Sequence, residues 1–505
     1  MDNTTKLLNS IETFLIKQDL SPEDFVDQTS DETFAPEQAP KDKGSATPPG
    51  KVPTKIFELV RRGGRVFERV RTAWVNPQVA QRLEQRKIAT DWVRTLGNYL
   101  PLYFVGGYVR DKFLKKVSKD IDIIALVPLS EVRPVLQKLN IRFSEHSNAH
   151  ARIKFEVGGI NVDVISVKSD DLPDNLRSRD FTVNAVAQSV TGQFYDPTRG
   201  LDDLKRKLLR TPGNDPVTTF ENDPIRILRG VRFLADMGLK AHSSIPDAIT
   251  KTAVGLKNKK PRRIGFELKK ILEVEKPWLA AKVMADWKIL PYMSEDLNNI
   301  VTLKQSGDDN KYHVWPQVLA MLRKAKSQDL VVNAAILFSQ IGKYDGEKIA
   351  NLEDWEERSS ELARKNLENL GFSKKIINRI ALMIYNLKIL SIDSPSPDDY
   401  RKVSLSARED LDKFYRVAEA YIASTRKDIS VVTSLKDAIA SHQNGEGEDG
   451  EERTTTVAVE KYFNDSDKLA KAHTLNEIDS SIDLILSADP RIEALNQIEI
   501  MVRNG

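Results

Sequence analysis

The chain has 505 residues, with 76 Lys/Arg against 73 Asp/Glu, 40% apolar and 30% charged residues. That composition predicts a soluble globular protein of about three domains, and a net charge of +3 does not by itself call for nucleic acid. No cysteine is present, which excludes disulfides, thiolate nucleophiles and thiolate-bound zinc. No apolar run is long enough to span a membrane, and the acidic start has neither a signal core nor an Arg-rich transit pattern, so the expected location is cytoplasmic.

Residues 1–50 carry ten acidic and four basic residues and close on a Pro/Gly/Ser/Lys-rich run; apart from a short helix at about residues 7–16, they are expected to be disordered. Residues 51–95 are read as a basic helical segment. Ten Lys/Arg against three Glu fall within 51–87, and Val60, Phe67, Val70 and Trp74 recur at roughly helical spacing. Such a helix either faces RNA or packs its apolar stripe on the protein and leaves its arginines solvated.

Residues 96–215 alternate strands and helices. Strands are expected at Leu102–Val105, Asp120–Leu126, Ile153–Val157 and Asn161–Val167. From 216 onward the pattern is helical: 216–300, then 301–440, a flexible acidic loop at 441–456 and a last helical segment at 457–505.

The chemistry gathers in the first strand–turn–helix. The strand Leu102–Val105 stops at Gly106-Gly107, and a helix follows from Tyr108 to Leu114. Two glycines let backbone approach a ligand, the helix start offers N–H groups to an anion, and Arg110 adds a charged phosphate donor. Residues two apart on a strand share a face, so Asp120 and Asp122 project together while Ile121 and Ile123 enter the core. Paired carboxylates beside a phosphate cradle suit magnesium-dependent phosphoryl or nucleotidyl transfer. There is no G-x-x-x-x-G-K-[ST], and no G-x-G-x-x-G at this turn. Asp163 on a neighbouring strand is a third candidate ligand, with a solvated strand residue as the equal alternative. Further on, Asp223, Arg226 and Arg229 lie at steps of three and share a helix face, behind Pro224 in the first turn.

In order, Gly106-Gly107-x-x-Arg110-Asp111, Asp120-x-Asp122, Arg179-Asp180-Phe-Thr-x-Asn184-Ala, Asp196-Pro…Gly200…Asp203 and Asp223-Pro-x-Arg226-x-x-Arg229-x-x-Arg232 resemble the motifs of class II tRNA nucleotidyltransferases and bacterial poly(A) polymerases. The resemblance is strong over about residues 100–240 and weaker to about 390. It implies an α+β protein: a nucleotidyltransferase head with a small mixed sheet, followed by all-α neck, body and tail. By resemblance, Asp120 and Asp122 would bind Mg2+. Gly106, Gly107 and Arg110 would hold the triphosphate, Arg179 the nucleotide and Asp180 the ribose. Asp223 and Arg226 would read the base, with Arg229 in support. The implied partners are a tRNA or other RNA 3′ end, ATP and CTP. Where the family usually has Glu-Arg, this chain has Arg262-Arg263. Residues 313–343 resemble an HD phosphohydrolase segment, but Gln317, Ser339 and Gln340 stand where His and Asp ligands are usual, so no metal hydrolase is expected there. The leading expectation is CCA addition to tRNA. An A-only enzyme is the near alternative, and a catalytically silent RNA-binding protein on the same fold is the distant one.

Overall fold

The structure is a computed structural model. It describes residues 25–26 and 51–445, apart from 63–64, 115, 117, 119, 147–150, 214, 306–312, 347–348, 351–353, 393 and 426–428. The helices expected at 7–16 and 457–505, and most of the loop at 441–456, lie outside the described residues. The chain divides into two compact units: Met1–Thr219 with Leu239–Ile245, and Phe220–Gly238 with Pro246–Gly505.

The first unit is built on an eight-stranded mixed sheet. Its strands are β1 (Phe25–Val26), β4 (Leu102–Val105), β5 (Asp120–Ala125), β6 (Phe143–His146), β7 (Arg152–Val157), β8 (Ile160–Ser166), β9 (Ala187–Ser189) and β10 (Phe194–Tyr195), ordered β1-β10-β9-β4-β5-β8-β7-β6. Only β5 and β8 run parallel; the other neighbours are antiparallel. The pleat of β5 does what its alternation predicts. Ile121 and Ile123 are buried, and Asp120 and Asp122 are exposed. Burying each isoleucine is worth about 1.5–3 kcal/mol, and a one-residue slip would drive both carboxylates into the core. The register that carries the site is therefore enforced by packing. Val105, Ile124, Leu126, Leu172, Leu176 and Tyr195 belong to one core cluster beneath it.

Residues 51–95 are not one helix. Val52–Arg62 (β2) and Arg65–Val75 (β3) form an antiparallel hairpin, in register from Val52 opposite Val75 to Arg62 opposite Arg65. A helix, Pro77–Leu96, follows, capped by Asn76 Oδ1 accepting from Gln78 N at 2.9 Å, with Ala89, Val93 and Leu96 buried. The sequence holds the reason: Gly63-Gly64 between β-branched and aromatic runs is a two-residue hairpin signal, and it outweighs the accidental 7-3-4 spacing of four apolar residues. The ten basic residues thus divide between a ribbon and a helix. A chain lacking residues 1–75 should bind tRNA more weakly, with a log–log salt slope shallower by about 0.7–0.9 for each phosphate that the ribbon neutralises. Equal binding by filter assay at every salt concentration would leave the arginines of the ribbon merely solvated.

The second unit is helical. Ile225–Met237 buries Ile227, Leu228, Val231, Phe233 and Leu234 at helical spacing, and Pro261–Leu272 packs beside it. Between them Glu267, 3% exposed, is paired with Arg232 at 3.0 Å. Mixed sheet first and helices after is the expected α+β class. No described helix is long and apolar enough to cross a membrane.

Candidate active site

The strand β4 ends at Gly106, whose φ of +63° and ψ of −129° are open only to glycine. The space is also closed to a side chain: a Cβ there would lie 3.0 Å from Arg179 Nη1 and 3.2 Å from Asp122 Oδ2. One bare turn thus brings together a cation and a carboxylate that are 57 positions apart in the numbering. The helix Gly107–Phe113 follows, and a Cβ on Gly107 would meet Arg110 Nη2 at 3.6 Å.

Arg110 does not dangle into solvent. Its Nε donates to Asp111 Oδ1 at 2.8 Å and its Nη1 to Asn184 Oδ1 at 2.7 Å. Asn184 Nδ2 in turn donates to Asp180 Oδ1 at 2.9 Å, which also accepts from Phe181 N. Arg179 Nη1 donates to Asn184 O at 3.4 Å. Asn184, to which the sequence alone assigns no role, is the junction that orients both arginines. Asp180, expected to face a ribose, is 7% exposed and engages Oδ1 inside this network. The 3-10 turn Thr182–Asn184 is itself clamped. Thr182 Oγ1 donates to buried Asp203 at 2.7 Å, Arg210 Nε donates to the same carboxylate at 3.0 Å, and a Cβ on Gly200 would lie 2.0 Å from Thr182 O. Asp196 accepts from Gly200 N and Leu201 N at 2.7 and 2.9 Å, so the Asp196…Gly200…Asp203 motif is a brace for the site.

The carboxylates sit beside this frame. Parallel pairing sets Asp120 against Asn161 and Asp122 against Asp163. Asn161 Nδ2 reaches Asp120 Oδ1 at 3.4 Å. The Asp122 carboxyl, open at the sheet face but ringed by protein, is raised above the ordinary value. Desolvation is the main cause, Asp163 and Asp120 add to it, and Arg179 and Arg110 oppose it. Asp163 Oδ2 is held by Lys154 at 2.9 Å, while its Oδ1 is buried without a hydrogen-bond partner. Among the described residues no group of three or more His, Asp or Glu is placed to hold an ion. The three-carboxylate cluster is therefore corrected to a pair, because Lys154 draws Asp163 away. The pair suits a hard divalent cation that takes its other ligands from phosphates and water, and the orphaned Asp163 oxygen is an acceptor for such a water.

In the second unit, Asp223 precedes Ile225–Met237. Its Oδ2 accepts from Arg263 Nη2 at 2.9 Å, and Lys259 Nζ lies 3.4 Å from its Oδ1. Partial burial pushes its carboxyl up, but the Arg263 hydrogen bond and charge, with Lys259, hold it below the usual range. Arg226 follows one turn later, half-buried, its N–H bonded to Asp223 O. Arg229 Nη1 approaches Glu267 at 3.9 Å and its guanidinium lies over Phe233. The pairing of Asp223 with Arg263 has one visible sign in the sequence, the Arg262-Arg263 departure from the family pattern.

The HD-like segment holds no such donor set. Gln317 Nε2 donates to Ser424 at 3.2 Å, and Ser339 and Gln340 are fully buried. Gln340 Oε1 accepts from buried Lys343, whose amine desolvation lowers to about 8 and whose charge lies 4.5 Å from the Trp355 ring centre. An ammonium and neutral amides occupy the interior there.

Residues 102–210 match the Poly A polymerase head domain. The chain is 34% identical over 187 residues to the CCA-adding enzyme of Oceanobacillus iheyensis, covering 34% of this chain and 46% of that one. It is 33% identical over 171 residues to the CC-adding tRNA nucleotidyltransferase of Shouchella clausii, covering 34% and 44%. The chain thus spans about half the length of the curated relatives it matches. The crystal structure of the Bacillus stearothermophilus CCA-adding enzyme in complex with CTP has the same fold, with a TM-score of 0.53 and 21% identity over 71% of this chain and 82% of that one.

Proposed function

We propose that this chain is a template-independent RNA 3′-end nucleotidyltransferase that adds C, C and A to tRNA from CTP and ATP. The carrying observation is the Gly106 turn, which lies within contact of both Arg179 and Asp122. In this reading, 96–215 is the catalytic head, 216–300 the neck and 301–440 the body of a cytoplasmic enzyme. The reaction joins the RNA 3′-oxygen to the α-phosphorus, breaks the bond to the β-phosphate and releases pyrophosphate.

Asp120 and Asp122 would hold magnesium, with Asp163 Oδ1 accepting from a bound water. Magnesium there would lower the negative charge that separates attacking and leaving oxygens. Gly106 and Gly107 leave room for a triphosphate against bare backbone. Arg110 and Arg179, fixed through Asn184, supply donors whose geometry needs little reorganisation when the nucleotide binds. Asp180 acts chiefly by holding Asn184. Asp223 and Arg226 select the base, with Arg229 anchoring their helix.

A second reading, CC addition alone, is favoured by the near-equal identity to a CC-adding relative. Labelled CTP and ATP offered to tRNA transcripts ending before CCA, after one C and after CC separate these readings. CCA addition uses CTP twice and then ATP. CC addition stops after two CMP, and an A-only enzyme extends only the CC-ended RNA. No incorporation at all would leave an RNA-binding protein.

A further inference from the structure

A groove of about 1080 Å³ runs along the helical unit, between the helices Pro277–Asp286, Val314–Ala325 and Leu411–Ser424. Its lining is unbalanced in charge. Lys282, Arg323, Lys324, Lys326 and Arg416 contribute five cations against one carboxylate, Glu419. Glu419 is itself paired with Lys436 at 2.5 Å, and Lys282 is paired with Asp286. Among the described residues, Arg323, Lys324, Lys326 and Arg416 have no ion-pair partner, and all four are exposed. Four uncompensated cations around one groove repel one another, which costs the fold stability unless a polyanion is the intended occupant. The floor is apolar, with Leu319, Ala320 and Ala420 between the helices. At one end stands Trp278, partly open, with the Arg323 guanidinium 5.5 Å from its ring centre. An aromatic face under a basic rim is the arrangement that takes a nucleobase against the ring and phosphates against the cations.

We propose that this groove is a docking surface for RNA, gripping the phosphate backbone through Arg323, Lys324 and Arg416 and stacking a base on Trp278. The proposal rests on the RNA-substrate reading above and gives the degenerate HD-like region a task. It separates affinity from chemistry, since none of these residues belongs to the nucleotidyl-transfer site or to the base-reading helix.

The test uses the full chain and a tRNA transcript ending in a 3′-deoxynucleotide, so that binding is read without transfer. The triple variant Arg323→Gln, Lys324→Gln, Arg416→Gln replaces exposed side chains and leaves the packed faces intact. Its RNA affinity at physiological salt should fall roughly tenfold, and its log–log salt slope should be shallower by about two, near 0.7 for each single-strand phosphate that the three cations neutralise. Trp278→Leu, which keeps the floor apolar, should weaken binding without changing the slope. Affinity for ATP and CTP should be unchanged in both variants. Wild-type affinity and slope in the triple variant would overturn the proposal and leave the groove to an acidic protein surface. Absence of RNA binding by the unaltered chain would overturn it as well. Binding without nucleotide addition would sink only the enzymatic reading.

Discussion

Replacing Asp120 or Asp122 by Ala should reduce nucleotide incorporation by about a thousandfold or more, the equivalent of ~4 kcal/mol of transition-state stabilisation, while tRNA binding persists. The physical reason is that both carboxylates stand on the open face of β5, and the strand's packing is carried by Ile121 and Ile123 on the other side. Removing either acid leaves no cavity and leaves the core packing intact. It removes like charge from a cluster in which Asp122 already feels Asp120 and Asp163. Melting temperature should therefore hold or rise as activity disappears. A general unfolding defect would lower both together.

The same crowding gives a sign for pH. A carboxyl raised in the folded state binds its proton more tightly there than in the unfolded chain, so its ionisation withdraws stability as pH rises through the window just above the ordinary Asp value. Asp122→Asn, which cannot ionise, should gain thermal stability over the unaltered chain above that window and lose the advantage below it. Melting curves from pH 4 to pH 8 in the absence of divalent cation read the effect directly, and a difference independent of pH would remove the proposed coupling.

How much of this is legible in the sequence follows from how local each feature is. The strand Leu102–Val105, the Gly106-Gly107 turn and the alternation through Asp122 are short-range patterns, and they stand where period and turn chemistry place them. The Arg65–Val75 ribbon is just as local, but its Gly-Gly turn competes with a chance helical spacing, and the spacing misleads. Asn184 and Asp203 act through partners 74 and 21 positions away, and Asp223 through one 40 away. No local period encodes such pairs; only the closed fold brings them together. Asp163 does lie beside Asp122, as its strand spacing predicts, but its ligand role depends on Lys154, which pairs across the next strand.

Substituting Asp223 or Arg226 by Ala should relax the choice among nucleotides, raising use of UTP and GTP relative to CTP and ATP while lowering overall efficiency. The reason begins with polarity at the pairing edge. Cytosine presents an amino donor beside the acceptor N3, and adenine an amino donor beside the acceptor N1. Uracil and guanine present a carbonyl acceptor beside an N–H donor. A carboxylate only accepts and a guanidinium only donates, so an Asp on the amino group with an Arg on the ring nitrogen fits C and A alike. For this the carboxyl must stay ionised, and Arg263 at 2.9 Å with Lys259 at 3.4 Å holds Asp223 below the usual carboxylate range. A carboxylate has about four acceptor positions, so a bond to Arg263 leaves acceptor capacity for a base. With U or G, acceptor meets acceptor and donor meets donor. Each unpaired group in a closed pocket costs about 1–3 kcal/mol, and two such mismatches give discrimination of about a hundredfold or more. Asp223→Asn is the sharper variant, because its amide can turn either an oxygen or an N–H to the base and should admit uracil with little loss for cytosine. Competition assays with all four nucleotides on one tRNA transcript provide the readout. Unaltered selectivity in the Ala and Asn variants would move base reading to other residues.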